Sequence, residues 1–312
     1  MGYIVAQAIF AVTETGIVEL LAAGPAEVGE LARGAGVDAD ALGRFLRVLV
    51  AEGLFSEHPH GTFALTPMGD YLRRDRPGSL SHLVTLMAGE AYQAWGMASH
   101  SLRTGTPAFD VVFGEPMFDW LAGHPEKSDE FDRAQAGLVA MRMMPLLEWD
   151  WSRTRTVVDV GGGNGSLVAA LLARNPHLQG TLFDLPHVVK AADTIDRCTM
   201  VGGDFFAEVP SGGEVYVLAQ ILHDWDDHSA VRILRQIATA MPASGQLLVL
   251  EQVIPDDDAR HPEKLLDLHM LILLGGRERT HSAWRKLLAE GGFQLTDVRR
   301  YPRSCLLVAT RS

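Results

Sequence analysis

The chain has 312 residues, 47% hydrophobic and 21% charged, which suits a soluble globular protein with room for two domains. Its formal net charge is −12. Residues 1–150 carry 10 Lys and Arg against 20 Asp and Glu, and residues 151–312 carry 17 against 19. An acidic front half repels phosphate backbones, which argues against a nucleic-acid partner. Cys198 and Cys305 offer neither a disulfide framework nor zinc spacing, a usage that fits the reducing cytoplasm. The apolar start, residues 1–24, lacks a basic leader and is interrupted by Glu14 and Glu19, so it reads as an amphipathic helix. Residues 265–274 are too few to span a bilayer and include Asp267 and His269, so no membrane role is expected.

In chain order, residues 3–23 carry apolar side chains at helical spacing on both faces: Ile4, Val5, Ala8, Ile9 and Val12, then Ile17, Val18, Leu20 and Leu21. Such a helix packs inside something, a second subunit included. A short helix begins at Val28, and Asp38 can cap another over 39–52, where Leu42, Phe45, Leu46, Leu49 and Val50 form one stripe. Residues 54–56 and 62–65, joined by His58-Pro59-His60-Gly61, read as a hairpin. Helix, turn, helix, hairpin is a winged-helix pattern. Arg44 and Arg47 are offset by Asp40 and Glu52, and the wing tip has no Lys or Arg, so a structural or dimerising role fits better than DNA binding. Residues 80–147 form a second helical region containing Trp95, Phe109, Phe113, Phe118, Trp120 and Phe131, with Met141, Met143 and Met144 near its end. These serve either as core or as the wall of a pocket for a flat apolar substrate.

From Thr156 strands and helices alternate. Strands are predicted at 156–160, 180–184, 198–202, 214–219 and 245–252, with helices near 166–174, 186–194 and 228–241. This is a doubly wound parallel α/β sheet. Helices near 262–274 and 281–290 and a hairpin of 293–300 with 304–310 follow. The predicted division is 1–150, helical and winged-helix, and 151–312, the sheet domain.

Residues 156–165 read as a buried strand, a glycine turn and a helix start. The dinucleotide fingerprint reaches Ser166 from Gly161 and fails there. The pattern is instead Asp159-x-Gly161-x-Gly163-x-Gly165, with an acid two residues before the first glycine. That carboxylate favours a cationic or hydroxyl-rich ligand, against the alternative of a tight turn holding nothing. Asp184 closes the second strand, where a carboxylate can take a ribose diol. Asp204 follows the third strand beside Phe205 and can accept from an exocyclic amine while the ring packs on a purine, or can simply fix its own turn. The fourth strand runs into Gln220-Ile221-Leu222-His223-Asp224-Trp225-Asp226-Asp227, which puts His223 where a reacting group would stand. Asp226 or Asp227 can cap the next helix, and consecutive acids cannot all converge on a metal, so none is expected.

Together these residues resemble the S-adenosylmethionine-dependent O-methyltransferases of the plant caffeic-acid and flavonoid type and their bacterial polyketide-tailoring relatives. The likeness spans nearly the whole chain. It rests on Val157-Val158-Asp159-Val160-Gly161-Gly162-Gly163-Asn164-Gly165, Asp184-Leu185-Pro186, Gly203-Asp204-Phe205-Phe206, Leu222-His223-Asp224-Trp225 and Gly275-Gly276-Arg277-Glu278-Arg279-Thr280. The resemblance implies a class I methyltransferase fold behind a mainly helical, winged-helix dimerisation domain, and a cytoplasmic homodimer. It implies S-adenosyl-L-methionine held by Asp159, Gly161, Gly163, Asp184, Leu185, Asp204 and Phe205. It also implies His223 as catalytic base flanked by Glu251 and Glu278, without a metal, and a small aromatic hydroxyl compound as acceptor. Phe131, Gln135, Met144, Met270 and Asp224 would meet that acceptor.

The chain departs from the resemblance in places. Ala219 stands where plant members often carry Lys, Gln135 replaces a common pocket methionine, and bacterial relatives usually extend before the segment matching residues 3–10. Fewer dimer contacts are expected on that account. Two rivals remain: a cofactor-binding relative whose methylation is lost or altered, and a cofactor-sensing DNA regulator.

Overall fold

The computed structural model describes residues 2–76, 78–302 and 304–312, apart from the side chains of residues 136–141. The chain forms two compact units. One comprises Met1–Gly96 with Leu121–Gly137, the other Met97–Trp120 with Leu138–Ser312. These units do not divide at residue 150. The helices Ala98–Thr104 and Ala108–Phe113 pack on the helix Pro262–Leu273, which draws 97–120 into the C-terminal unit.

In the N-terminal unit the single helix expected over 3–23 is two, Gly2–Glu14 and Ile17–Leu21, because Gly16 takes φ 75° between them. Helices Val28–Ala35 and Ala39–Ala51 follow, the latter capped by Asp38, whose side chain accepts from the Ala41 N–H at 2.8 Å. Strands β1 (Ala26–Glu27), β2 (Phe55–His58) and β3 (Thr62–Leu65) form an antiparallel wing in the order β1-β3-β2. The core is apolar: Val12, Ile17, Val18, Leu31, Leu42, Leu46, Leu49, Phe55 and Phe63 are buried. The predicted stripe on Ala39–Ala51 is narrower than expected. Phe45 turns outward at 42% exposure beside Val48 at 39%. Arg47 of the same helix pairs with Glu57 of the wing at 3.2 Å.

The C-terminal unit is built on a seven-stranded sheet. Its strands are β4 (Thr156–Val160), β5 (Gln179–Asp184), β6 (Cys198–Gly202), β7 (Val215–Ala219), β8 (Gln246–Glu251), β11 (Phe293–Tyr301) and β12 (Ser304–Arg311). The order is β11-β12-β8-β7-β4-β5-β6; β4 to β8 are parallel, and the terminal hairpin adds two antiparallel strands. The chain winds outward from β4 to β6, then returns to β7 on the other side of β4. The loops after β4 and β7 therefore part at the topological switch point, where open α/β sheets bind ligands.

Alternation along β4 sends Val158 and Val160 to one core face, with Tyr216, Leu234 and Trp284, and Val157 to the other, with Leu167, Val168 and Leu171. A two-stranded parallel pair, β9 (Val253–Ile254) with β10 (Arg279–Thr280), sets Arg279 opposite Val253. That pairing brings Glu278 beside the end of β8, where Glu251 lies. Among the described residues, no helix is long and apolar enough to cross a membrane.

Candidate active site

The glycine loop leaves β4 by a bond from the Gly161 N–H to the Phe183 carbonyl at 2.8 Å. Gly161 takes φ 71°, and a Cβ there would come within 2.6 Å of Ile221 Cδ1, so only glycine lets the loop lie against the turn after β7. At Gly163 a Cβ would meet nothing within 4 Å, which leaves that backbone open. The Gly163 N–H donates to Asp184 Oδ2 at 2.8 Å, and the Leu185 N–H donates to Oδ1 at 2.6 Å. Gly161, Gly163, Asp184 and the exposed Leu185 thus share one locale at the ends of β4 and β5.

Asp159 is placed differently from the rest of this group. Its side chain is buried beneath the loop, close to where a Gly162 Cβ would lie, and neither oxygen has a hydrogen-bond partner. Burial, and then the charge of Asp184, push its pKa up to about 7. Asp204 is exposed, and its Oδ1 accepts from the Phe206 N–H at 2.8 Å, so it fixes its own turn. Phe205 packs edge-on against Phe206 and Trp225.

The turn after β7 carries His223. The ring is buried, and its Nδ1 lies 2.6 Å from Glu278 Oε1. Nε2 lies 3.3 Å from Asp224 Oδ1. Glu251 stands 3.8 Å from Nδ1 and binds mostly backbone: its Oε1 accepts from the N–H groups of Ile221, Leu222 and His223 at 3.0, 2.8 and 3.3 Å. The two glutamates therefore differ. Glu278 holds the imidazole, and Glu251 holds the turn beneath it. Burial lowers the His223 pKa, but the charges of Glu251, Asp224 and Glu278 more than reverse this and push it up to about 10. Burial raises Asp224 to about 6 against the opposing pull of His223.

Several neighbours escaped the sequence reading. Arg279, 2% exposed, donates to the carbonyls of Leu222 and Trp225 at 2.8 Å each and to Asp227 Oδ1 at 2.9 Å. The Glu278 N–H donates to Asp267 Oδ1 at 2.9 Å. A Cβ on Gly276 would sit 2.1 Å from the His223 carbonyl, and the Arg277 N–H donates to that same oxygen at 2.8 Å. The signal was present in the Gly-Gly-Arg-Glu-Arg run, but only the folded contacts assign each member its task. His269 is a second buried imidazole. Burial, then the His223 charge, lower its pKa to about 4.

Met270 is buried on the helix Pro262–Leu273, and Met144 is exposed at the start of Met144–Leu147. Phe131 and Gln135 lie in the N-terminal unit, half-buried on Pro125–Arg142. Part of the aromatic segment is core: Phe109 is buried and stacked on Phe113 at 4.3 Å, whereas Phe118 stacks at 6.0 Å on Trp225, beside the turn that carries His223.

Ligand atoms of His223, Glu251 and Glu278 lie within 4.8 Å of one another, a spacing a metal could use. These atoms are already committed, however: Glu251 Oε1 to three backbone donors and Nδ1 to Glu278.

A switch-point glycine loop and an imidazole–carboxylate pair at neighbouring strand ends define a class I methyltransferase with an N-terminal winged-helix unit. The chain belongs to the O-methyltransferase family: residues 95–294 match the O-methyltransferase domain, and residues 1–75 match the O-methyltransferase dimerisation domain. It is 41% identical to a phenazine O-methyltransferase of Lysobacter antibioticus over 95% of this chain and 89% of that one. It is 41% identical to the O-demethylpuromycin-O-methyltransferase of Streptomyces alboniger over 96% and 84%. An O-methyltransferase from neocarzinostatin biosynthesis, solved with S-adenosylmethionine and 2-hydroxy-5-methyl naphthoic acid, superposes with a TM-score of 0.86. It is 33% identical, with 98% and 96% of the two chains covered. A relative from Streptomyces davaonensis, 36% identical over 94% and 88%, is an 8-amino-8-demethylriboflavin N,N-dimethyltransferase, so the family also methylates nitrogen. This chain is an S-adenosylmethionine-dependent O-methyltransferase of secondary-metabolite biosynthesis.

Proposed function

We propose that the chain methylates a hydroxyl on a small aromatic metabolite, with His223 as general base. The observation that carries this is the buried His223–Glu278 pair at 2.6 Å, set at the strand end beside the glycine loop. The residues present fit the cofactor. Gly163 leaves the backbone open while Gly161 lets the loop lie close against Ile221, Asp184 offers a carboxylate for ribose hydroxyls, and Phe205 offers a ring for the adenine beside Asp204. Asp159 sets a buried carboxyl behind the loop, whose pKa, pushed up to about 7, a neighbouring cation would lower again. When bound, the cofactor supplies an electrophilic methyl group on a sulfonium.

The protein's part is proton management and positioning. With Nδ1 held by Glu278, Nε2 is the nitrogen that takes the hydroxyl proton, and Glu278 steadies the imidazolium as a triad carboxylate does. A phenol has a pKa of about 10, close to that of the buried imidazole, so the proton passes between groups of matched affinity. Asp224 and Met270 would face the acceptor. The committed donors around Glu251 favour a metal-free site. The exposed Phe45 and Val48 and the dimerisation domain support a homodimer.

The test is incubation with methyl-labelled S-adenosylmethionine and a panel of hydroxylated arenes. Label on a phenolic oxygen is expected. Label on nitrogen alone, or cofactor binding without transfer to any of them, would overturn the acceptor assignment.

A further inference from the structure

Among the described residues, three other than glycine hold a positive φ: His60, Arg197 and Gln220. His60 lies in the wing turn. Arg197 ties three carbonyls, those of Leu172, Asn175 and Leu178. Gln220 lies directly after β7, three residues before His223, at φ 59° and 8% exposure. Left-handed backbone is unfavourable for a residue with a Cβ, and such strain collects at functional sites. Ile221 follows at φ −114°, ψ −51°. A left-handed residue followed by a right-handed one turns successive N–H groups to one side and forms an anion nest.

The carboxyl in this nest is Glu251, whose pKa burial pushes up to about 7 against the opposing charge of His223. Its Oε1 takes the N–H groups of Ile221, Leu222 and His223. The Gln220 side chain completes the arrangement. Its Nε2 donates to Glu251 Oε2 at 3.2 Å and to the Leu250 carbonyl at 3.1 Å, while its Oε1 accepts from the Arg142 guanidinium. The Arg142 carbonyl in turn accepts from Ser304 Oγ at 3.2 Å.

We propose that Gln220 is a positioning residue: its left-handed backbone opens the nest, and its carboxamide, polarised by Arg142, keeps Glu251 ionised beside His223. This rests on His223 being the base. Glu251 is fully buried, and a buried charge persists only where its lone pairs are met by donors. Three backbone groups serve one oxygen, and the Gln220 amide serves the other. That second oxygen is the one facing His223 Nδ1 at 3.8 Å. Glu278, Asp224 and His269 also face His223, and Arg279 acts on Glu251, so Gln220 tunes a set of charges rather than a single pair.

Gln220→Gly tests this, because glycine keeps the left-handed backbone and loses only the amide. The His223 ring is titrated by NMR in the protein without cofactor or acceptor, alongside the pH profile of kcat. The midpoint of His223 is expected to fall by about 0.5–1 pH unit, the imidazolium having lost part of its counter-charge. The rising limb of kcat should move with it, to lower pH. Arg142→Met should shift both the same way by less, and it carries the test should the glycine variant be insoluble. An unmoved His223 midpoint in the soluble variants, with only a lower Tm, would overturn the proposal. Because the NMR titration needs no turnover, an enzyme that fails to methylate any hydroxyl would sink the proposed function and leave this result readable.

Discussion

The two units of this chain bury different things. The N-terminal unit gathers aliphatic and aromatic side chains into its core and leaves Tyr3, Ile4, Phe45, Val48 and Tyr71 at the surface. The C-terminal unit has a larger apolar core but also buries Asp159, His223, Glu251, Glu278 and Arg279. Buried ionisable groups cost folding free energy unless they are paired and hydrogen-bonded. Their concentration at the switch-point ends of the strands is the pattern expected of a functional site. Among the exposed apolar side chains, Phe45 and Val48 share one helix of the dimerisation domain and make a surface suited to a partner.

The sharpest way to break this contrast is His223→Ala. It should lower kcat by about 10²–10⁴ while leaving cofactor affinity, by calorimetry, and oligomeric state unchanged. Near-full turnover would remove the base from the scheme.

Glu278→Gln comes next, with kcat down by about 10²-fold, the low end of the same range. The sign of its pH effect follows from the raised His223 pKa. In the folded enzyme the imidazole keeps its proton up to about pH 10, so free base, and activity, grow as pH rises toward that value. Removing the carboxylate charge lowers the proton affinity and moves the rising limb of kcat/KM to lower pH. A limb that stays in place would mean Glu278 orients the ring without stabilising its charge.

Asp159→Asn separates stability from catalysis. Burial and then the Asp184 charge push the Asp159 pKa up to about 7 from the ordinary carboxyl value near 3.8, so the folded state holds the extra proton between those values. Stability should therefore fall as pH rises from about 4 to about 7. The asparagine variant should lose that dependence and gain on the parent by on the order of 2–4 kcal/mol across the window. Thermal melts at several pH values check it, and parallel curves for the two proteins would contradict it.

The smallest effect on the folded chain is expected from Phe45→Asp with Val48→Asp. Each lies on an exposed face of Ala39–Ala51, so subunit stability should change by within about 0.5 kcal/mol per site. Sedimentation should nonetheless shift toward monomer. An unchanged sedimentation coefficient would place the dimer contact on another face.

Most of the sheet could be read from the sequence. The β-branched run at β4, the helices Ser166–Arg174 and Pro262–Leu273 and the terminal hairpin follow local period and turn chemistry, which act over a few residues. The break at Gly16 and the outward turn of Phe45 were less legible, because an apolar residue on a helix does not say which face its neighbours will cover. At the site, the sequence placed His223 at a strand end, while Glu251 and Glu278 entered only through the family resemblance. Their division of labour was not legible, since it depends on distances across strands 28 to 55 residues apart.

The sequence by itself determined the parallel sheet, the winged-helix pattern, the glycine loop and the identity of the groups able to carry a proton, because these rest on residue type and local spacing. Tertiary structure alone decided that Glu278 clasps the imidazole while Glu251 fills a backbone nest, that Asp159 lies beneath the loop, and that Gln220 adopts a left-handed conformation. The physical reason is that charge, burial and hydrogen bonding act through space, and their partners meet only once β7, β8 and the β9–β10 pair have come together.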